Sequence, residues 1–179
     1  FGTQYDSLVD MVSFGLAPAL IMYEWALSGM GKLGWLAAFV YAVGAGLRLA
    51  RFNTQTANAD KRFFKGLPSP AAAALVTGFI WVLHSIGIPG RDISIFAMLV
   101  TVAAGVLMVS NIRYRSFKDF NLRGRVQFVT ILVVPLAFVL IGLDPPQILF
   151  LVFLAYALSG PVTAAVGMLR HPARKPADR

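Results

Sequence analysis

The sequence predicts an all-α fold, a polytopic membrane helical bundle with six transmembrane helices, and three observations lead to this prediction. First, 58% of the 179 residues are hydrophobic and only 13% are charged, a composition typical of membrane proteins rather than soluble domains. Second, six apolar stretches are close to the length of about 20 residues that crosses a bilayer as a helix. Third, polar and apolar residues do not alternate strictly along them, which favours helices over the strands of a membrane barrel.

The six predicted segments are separated by clusters of glycine, proline and charged residues, and they cover residues 5–27, 33–52, 70–86, 93–110, 126–142 and 148–169. Alanine and glycine recur in the second and third segments, where they let helices approach closely. We assign residues 1–170 to one membrane domain and expect a disordered cytoplasmic tail over 171–179, which is rich in proline, arginine and lysine. The chain starts with Phe1 and shows no signal peptide, so we expect a cut at its N-terminal side.

The basic residues orient these segments. Of the 16 lysines and arginines, Lys32 and Arg91 fall at one end of the predicted bundle. The others fall at the opposite end, in the connectors after segments two and four, at the close of segment two and in the tail. The positive-inside rule then predicts a multi-pass protein of the cell membrane with both termini in the cytoplasm. Because the net charge of +8 is concentrated at membrane boundaries, it argues for membrane lipids and against nucleic acid as partners.

An acidic pair opens the first segment. Asp6 and Asp10 are one helical turn apart on one face, and Gly2 lies a further turn back on that face without a side chain. Two neighbouring carboxylates repel unless a cation, a proton or a basic group lies between them, and oxygen ligands suit Mg²⁺ or Mn²⁺. The alternative is that both aspartates only complement the helix dipole at the interface. The absence of cysteine and the presence of only two histidines argue against thiolate and imidazole metal sites.

Two further stretches carry polar residues at the same end of the bundle. Arg48 and Arg51 share a helix face and, with Asn53, are candidates for binding a phosphate or a carboxylate. The alternative for the arginines is contact with lipid headgroups alone. Lys65 and Ser69 flank a turn rich in proline and glycine that leads into the third segment, and both are candidates for contact with a headgroup substrate. The alternative for this turn is that it only starts the helix.

Taken together, these stretches resemble the CDP-alcohol phosphatidyltransferase family. The family signature runs Asp-x-x-Asp-Gly-x-x-Ala-Arg and continues, after a short spacer, with Gly-x-x-x-Asp-x-x-x-Asp. Gly2, Asp6 and Asp10 match the second half, and the first half would lie just upstream of Phe1. The stretches that are most similar to members using L-serine as the acceptor are Tyr-Asp-Ser-Leu-Val-Asp-Met-Val-Ser-Phe-Gly-Leu-Ala-Pro-Ala, Arg-Leu-Ala-Arg-Phe-Asn and Phe-Lys-Gly-Leu-Pro-Ser-Pro-Ala-Ala.

The resemblance implies a homodimeric enzyme of phospholipid biosynthesis with a two-ion Mg²⁺ or Mn²⁺ site open to the cytoplasm. It implies transfer of a phosphatidyl group from CDP-diacylglycerol to the hydroxyl of L-serine, with release of CMP. Asp6 then corresponds to a metal ligand, and Asp10 to the general base and a second metal ligand. Gly2, which matches the signature, is assigned to substrate binding. Beyond the resemblance, we add Arg48, Arg51, Asn53, Lys65 and Ser69 as candidates for contact with phosphate or with the serine carboxylate. Because half of the signature is missing, we expect these 179 residues alone to be inactive.

Two other functions remain open at this stage. A sibling transferase would use glycerol phosphate, inositol phosphate or choline as the acceptor, and the pair Arg48 and Arg51 does not distinguish these acceptors from serine. A small membrane transporter would show polar or helix-breaking residues at mid-membrane. The middles of segments four to six are largely apolar, which disfavours a transporter.

Overall fold

The described part of the chain is mainly helical. The computed structural model describes residues 2–55, 63–115, 135–136, 139 and 141–170. Four helical runs in this part of the chain are long and apolar enough to cross a membrane: Gln4–Met30, Lys32–Thr54, Gly90–Val109 and Pro145–Val166. A fifth apolar helix, Ser69–Ser85, is somewhat shorter. Most of the predicted segment 126–142, and all of the predicted tail 171–179, lie outside the described residues.

The first predicted segment forms one continuous helical run whose winding changes four times. Helix α1, Gly2–Asp10, leads into a first π-helical segment, Met11–Leu16, and then into α2, Ala17–Met22. A second π-helical segment, Tyr23–Leu27, and a 3₁₀ turn, Ser28–Met30, end the run. The wider π winding is rare and is found mostly at functional sites, and the first such segment begins directly after Asp10.

The remaining elements follow in the predicted order, with two short strands added. They are α3 (Lys32–Gln55), β1 (Phe63–Lys65), α4 (Ser69–Ser85), a 3₁₀ turn (Gly90–Ile93), α5 (Ser94–Val109), β2 (Arg113–Arg115) and α6 (Pro145–Arg170). Helix α4 carries proline in its first turn, as the sequence predicted, because the missing proline N–H costs nothing there.

Small residues bring the helices together. Helix α3 packs mainly against α5, and α4 packs mainly against α6. A Cβ atom added at Gly44 of α3 would lie 2.6 Å from the backbone oxygen of Gly105 in α5, so these two backbones are in direct contact. In α4, Ala72 and Val76 are completely buried, and Gly78 faces Phe150 of α6. Close packing of small residues is how helices associate in a membrane, where lipid is as apolar as the side chains.

The two strands form an antiparallel ribbon that the sequence did not predict. Strands β1 and β2 pair so that Phe64 faces Tyr114. Gly66, directly after β1, has a φ of 84° and donates from its amide to the oxygen of Ile112 at 2.8 Å. Any side chain at Gly66 would also collide with the backbone of Met108, so glycine is required there. The ribbon therefore fixes the connector before α4 to the segment that follows α5.

The outer faces of the helices are apolar. Leu36 on α3, Ile95 on α5 and Leu151 on α6 each expose half or more of their side-chain surface. Contiguous exposed apolar surface of this kind is unfavourable in water and favourable against lipid. The composition, the four long apolar helices and these faces identify a membrane protein.

Candidate active site at the start of the first helix

The acidic pair lies on α1 as the sequence predicted. Asp6 is exposed, and Asp10, one turn later, is partly buried where α1 passes into the first π-helical segment. Nothing lies within 4 Å of the position that a Cβ atom would take at Gly2. Gly2 and Asp6 are both exposed, so this side of α1 is open among the described residues.

A buried tyrosine supports the π-helical segment that follows Asp10. Pro18 has no N–H to offer to the carbonyl of Phe14, four residues earlier in the chain. The Tyr41 hydroxyl of α3 donates to that carbonyl oxygen at 3.0 Å, and Tyr41 is completely buried. Gly15, in the same segment, packs directly against Ala45 of α3. Helix α3 thus holds the turn that positions Asp10, although the sequence analysis singled out neither Tyr41 nor the π winding.

Arg48 is the basic residue that the fold places near the acids. Its Nη1 donates to the Ser69 hydroxyl at 3.0 Å, and its guanidinium lies within electrostatic range of the Asp10 carboxylate. Its Nε is buried and has no hydrogen-bond partner among the described residues. A buried N–H of a charged group that lacks an acceptor is costly, so this atom is a donor that a bound oxyanion would satisfy.

The other two polar residues at the end of α3 have partners in the protein. Arg51 Nη1 donates to the Ser110 carbonyl at 3.4 Å and to Asn111 Oδ1 at 3.3 Å. Asn53 Nδ2 donates to the Ser7 hydroxyl at 3.0 Å, between the two aspartates in sequence. Arg51 therefore fastens α3 to the end of α5, and Asn53 fastens α3 to the acidic helix.

Lys65 and Ser69 have different environments. Lys65 lies in β1 and is exposed, whereas Ser69 is buried at the start of α4 and accepts the hydrogen bond from Arg48. The structure thus joins Arg48 to Ser69 by a hydrogen bond, with Asp10 within electrostatic range of the guanidinium. The sequence grouped Ser69 with Lys65 as headgroup contacts, but in this structure the Ser69 hydroxyl is engaged inside the protein.

The last helix contributes a residue that the sequence analysis missed. Tyr156 of α6 is partly buried and packs its ring against Tyr114, with ring centroids 5.6 Å apart. Tyrosine is common at membrane interfaces, and Tyr156 is far from the acidic pair in sequence. Because no local pattern links it to residues 6–10, only the packing of α6 reveals its position.

Asp6 and Asp10 are suitable oxygen ligands for a divalent cation, but they form only part of a site. Mg²⁺ and Mn²⁺ usually take six ligands, several of which can be water or substrate phosphate. Within the described ranges, no group of three or more histidine, cysteine, aspartate or glutamate residues is placed to hold a metal ion. The arrangement offers two carboxylates, one guanidinium with a free donor, and an open face, which together suit a phosphate-containing substrate.

Comparison with known proteins supports this chemistry. A CDP-diacylglycerol–serine O-phosphatidyltransferase of Helicobacter pylori is 36% identical over 140 residues, covering 78% of this chain and 59% of the relative. The protein of the same name from Methanocaldococcus jannaschii is 33% identical over 160 residues, covering 89% of this chain and 68% of the relative. An archaetidylserine synthase of Methanothermobacter thermautotrophicus is 34% identical over 114 residues, covering 64% of this chain and 45% of the relative.

The chain thus spans about three fifths of the length of the Helicobacter pylori relative. A sequence model described as CDP-alcohol phosphatidyltransferase matches residues 1–110, which include α1, α3, α4, α5 and the site residues from Gly2 to Ser69. The chain belongs to the CDP-alcohol phosphatidyltransferase family.

Proposed function

We propose that the protein transfers the phosphatidyl group of CDP-diacylglycerol to L-serine and releases CMP, as a phosphatidylserine synthase. The observation that carries this proposal is the acceptor named in the relatives. Serine appears in the names of the Helicobacter and Methanocaldococcus relatives, and the archaetidylserine synthase shares the serine product group while its name indicates a different lipid. The aligned stretches cover 78% and 89% of this chain in the Helicobacter and Methanocaldococcus relatives, and the range matched by the family model contains the candidate site residues.

In the proposed reaction, Asp10 acts as the general base. Its carboxylate accepts the proton of the serine hydroxyl, and the serine oxygen forms a bond to the phosphorus that carries the diacylglycerol group. The bond from that phosphorus to the bridging oxygen of the diphosphate breaks, and CMP leaves with the electron pair. The position of Asp10 supports this role, since it lies at the inner end of the open acidic face.

A divalent metal belongs to this proposal. CDP-alcohol phosphatidyltransferases generally depend on one, and we expect two Mg²⁺ or Mn²⁺ ions in the full-length protein. Asp6 and Asp10 would hold metal on the open face beside Gly2, with further ligands from substrate phosphate or from residues outside the described part. Bound metal would supply charge neutralisation at the diphosphate and at the departing CMP.

Arg48 is the proposed oxyanion-binding residue. Two observations support this role: its Nε has no partner among the described residues, and its guanidinium is within electrostatic range of Asp10. The acceptor oxygens are those of the CDP-diacylglycerol diphosphate or of the serine carboxylate. Gly2 leaves room for the substrate, and the exposed Lys65 adds positive charge. Asn53, Arg51 and Ser69 support the site through the hydrogen bonds that orient α1, α5 and Arg48.

The proposed setting is the cell membrane, with the active site and both termini facing the cytoplasm. The sequence distribution of lysine and arginine supports this orientation. Residues 1–170 are proposed to belong to the membrane domain of the full-length enzyme, which crosses the membrane several times and works as a homodimer among membrane lipids. Residues 171–179 are proposed to form a cytoplasmic tail.

An acceptor screen tests the function. Full-length protein in detergent is supplied with CDP-diacylglycerol and Mn²⁺ or Mg²⁺, and CMP release is measured with L-serine, glycerol 3-phosphate, inositol phosphate or choline. We expect release with serine and formation of phosphatidylserine. Release with one of the other acceptors instead would assign a sibling activity, and no metal-dependent release with any acceptor would contradict the proposal.

A further inference from the structure

A proline interrupts α winding shortly after the proposed base. Pro18 has no N–H for the Phe14 carbonyl, and in an α-helix its ring would also collide with that carbonyl. The chain widens instead, because the Ala17 amide donates to the carbonyl of Val12, five residues earlier, which is the π pattern. Helical geometry continues on both sides, so this wide turn joins α1 to α2 without a break.

Helix α3 holds the wide turn in place. The Tyr41 hydroxyl donates to the Phe14 carbonyl at 3.0 Å from a completely buried side chain. A Cβ atom added at Gly15, within the turn, would lie 3.1 Å from the Ala45 Cβ of α3 and 3.2 Å from Met11 Sδ. The π turn is therefore a packed and hydrogen-bonded element with α3 directly against it.

The winding sets the direction in which α1 presents its side chains. A π turn holds one more residue than an α turn, so closing it to α geometry would rotate α1 by one residue step, roughly 100°. In the observed register, the Ser7 hydroxyl of α1 accepts a hydrogen bond from Asn53 of α3 at 3.0 Å. Asp10 lies three residues after Ser7, on the same side of α1, and is partly buried. The observed register thus turns Asp10 toward α3.

We infer that Pro18 and Tyr41 set the rotational register of the acidic helix, and that Tyr41 is a positioning residue for Asp10. Pro18 excludes α winding, Tyr41 supplies the hydrogen bond that the proline removes, and the resulting turn directs Asp10 to α3. This inference rests on the proposed function for the role of Asp10. It also gives a reason for a proline inside a membrane-crossing helical run, where proline normally weakens a helix.

The first test is Pro18→Ala in the full-length protein. Alanine restores the N–H at residue 18, and relief of the proline penalty outweighs the loss of two ordinary hydrogen bonds, so we expect the run to close to α winding. The melting temperature should be maintained or rise, while kcat with serine and CDP-diacylglycerol should fall at least tenfold because Asp10 is displaced from its productive direction. A kcat at the wild-type level would overturn the inference.

Pro161→Ala is the matched control. Pro161 lies inside α6, which keeps α winding there, and the Tyr114 hydroxyl donates to the carbonyl of Ala157, four residues earlier, at 2.9 Å. The same pairing of a proline with a tyrosine thus occurs without a π turn. We expect Pro161→Ala to leave kcat at the wild-type level. A fall as large as that of Pro18→Ala would overturn the inference, because the π turn would then have no specific role.

Tyr41→Phe tests the positioning role directly. We expect kcat to fall about threefold to tenfold, the range for one hydrogen bond, with KM for both substrates unchanged. In the Pro18→Ala background the Phe14 carbonyl has a helical donor, so the same substitution should lower kcat no further. An equal effect of Tyr41→Phe in both backgrounds would refute its action through this carbonyl.

A distance measurement separates this inference from the proposed function. Residues 1–179 contain no cysteine, and Gln4 of α1 and Thr54 of α3 are both exposed. Spin labels on Gln4→Cys and Thr54→Cys in the full-length protein report the distance between these helices by pulsed electron paramagnetic resonance. We expect Pro18→Ala to shift this distance by on the order of 5 Å and Pro161→Ala to leave it unchanged. An unchanged distance in Pro18→Ala refutes the register, whereas a wild type that releases no CMP with serine refutes the proposed acceptor alone.

Discussion

Replacing Arg48 by lysine is the most informative change near the proposed base. Lysine keeps the positive charge beside Asp10 but removes the planar fork of donors. In the structure, one arm of that fork donates to Ser69 at 3.0 Å, and the buried Nε has no partner among the described residues. The substitution therefore removes one internal hydrogen bond together with the donor that we assign to the substrate.

The size of the effect follows from these two losses. A hydrogen bond to a charged group contributes about 1.5–3 kcal/mol net, which corresponds to about tenfold to hundredfold in affinity. Because the lysine ammonium still attracts the oxyanion, we expect the lower end, an increase of about tenfold in KM. Loss of the bond to Ser69 costs about 1 kcal/mol in stability, or about 2–4 °C in melting temperature for a chain of this size.

The assay is steady-state CMP release by full-length protein in detergent, with CDP-diacylglycerol and serine varied in turn. The substrate whose KM rises identifies the oxyanion that Arg48 binds. Arg91→Lys, the same chemical change at the opposite end of the bundle, is the control and should leave both KM values unaltered. A melting temperature that falls while both KM values stay at their wild-type levels would refute the assignment, because Arg48 would then serve only to bind Ser69.

Three further predictions concern the scaffold, and each is read from thermal unfolding in detergent. Tyr41→Phe removes the donor to the Phe14 carbonyl, so we expect a loss of about 1 kcal/mol, and an unchanged melting temperature would contradict this role. Gly44→Ala forces a Cβ atom against Gly105, so the melting temperature should fall by about 3 °C or more; equal stability would show that the helices separate freely. Burial, with a contribution from the neighbouring tyrosine, raises the pKa of Tyr114 from 10.0 to about 12. The folded protein therefore favours the neutral phenol, so the contribution of Tyr114 to the free energy of unfolding is fully present below pH 10 and is lost as the pH rises toward 12. Tyr114→Phe should make this alkaline loss of stability less steep.

The helical elements were predictable because each depends on local composition. Continuous apolar stretches have one low-energy form in a membrane, so the helices around residues 5–27, 33–52, 70–86, 93–110 and 148–169 follow from hydropathy and helix-breaking residues. The start of α4 follows from Pro70, whose fixed φ suits a first turn. The shared face of Asp6 and Asp10 follows from helical periodicity alone.

The partners of the polar side chains depend on tertiary packing, and the sequence could not supply them. Arg48 and Arg51 look equivalent in sequence, yet Arg48 donates to Ser69 at the start of α4 and Arg51 binds the segment that follows α5. Pro18 and Pro161 do signal that a carbonyl four residues earlier lacks its helical donor. Which hydroxyl fills each gap is decided by distant elements, and the answer in both cases is a buried tyrosine.

The most direct measurement of the central claim is single-turnover CMP release by the Asp10→Asn variant of the full-length protein, with serine and CDP-diacylglycerol at saturation. Asparagine has nearly the same shape as aspartate but does not accept the serine proton. Phosphatidyl transfer should therefore be abolished while the melting temperature stays near that of the wild type. Asp92→Asn, an exposed aspartate before α5, should retain full activity. Transfer by Asp10→Asn at the rate of the wild type would contradict the assignment of Asp10 as the base.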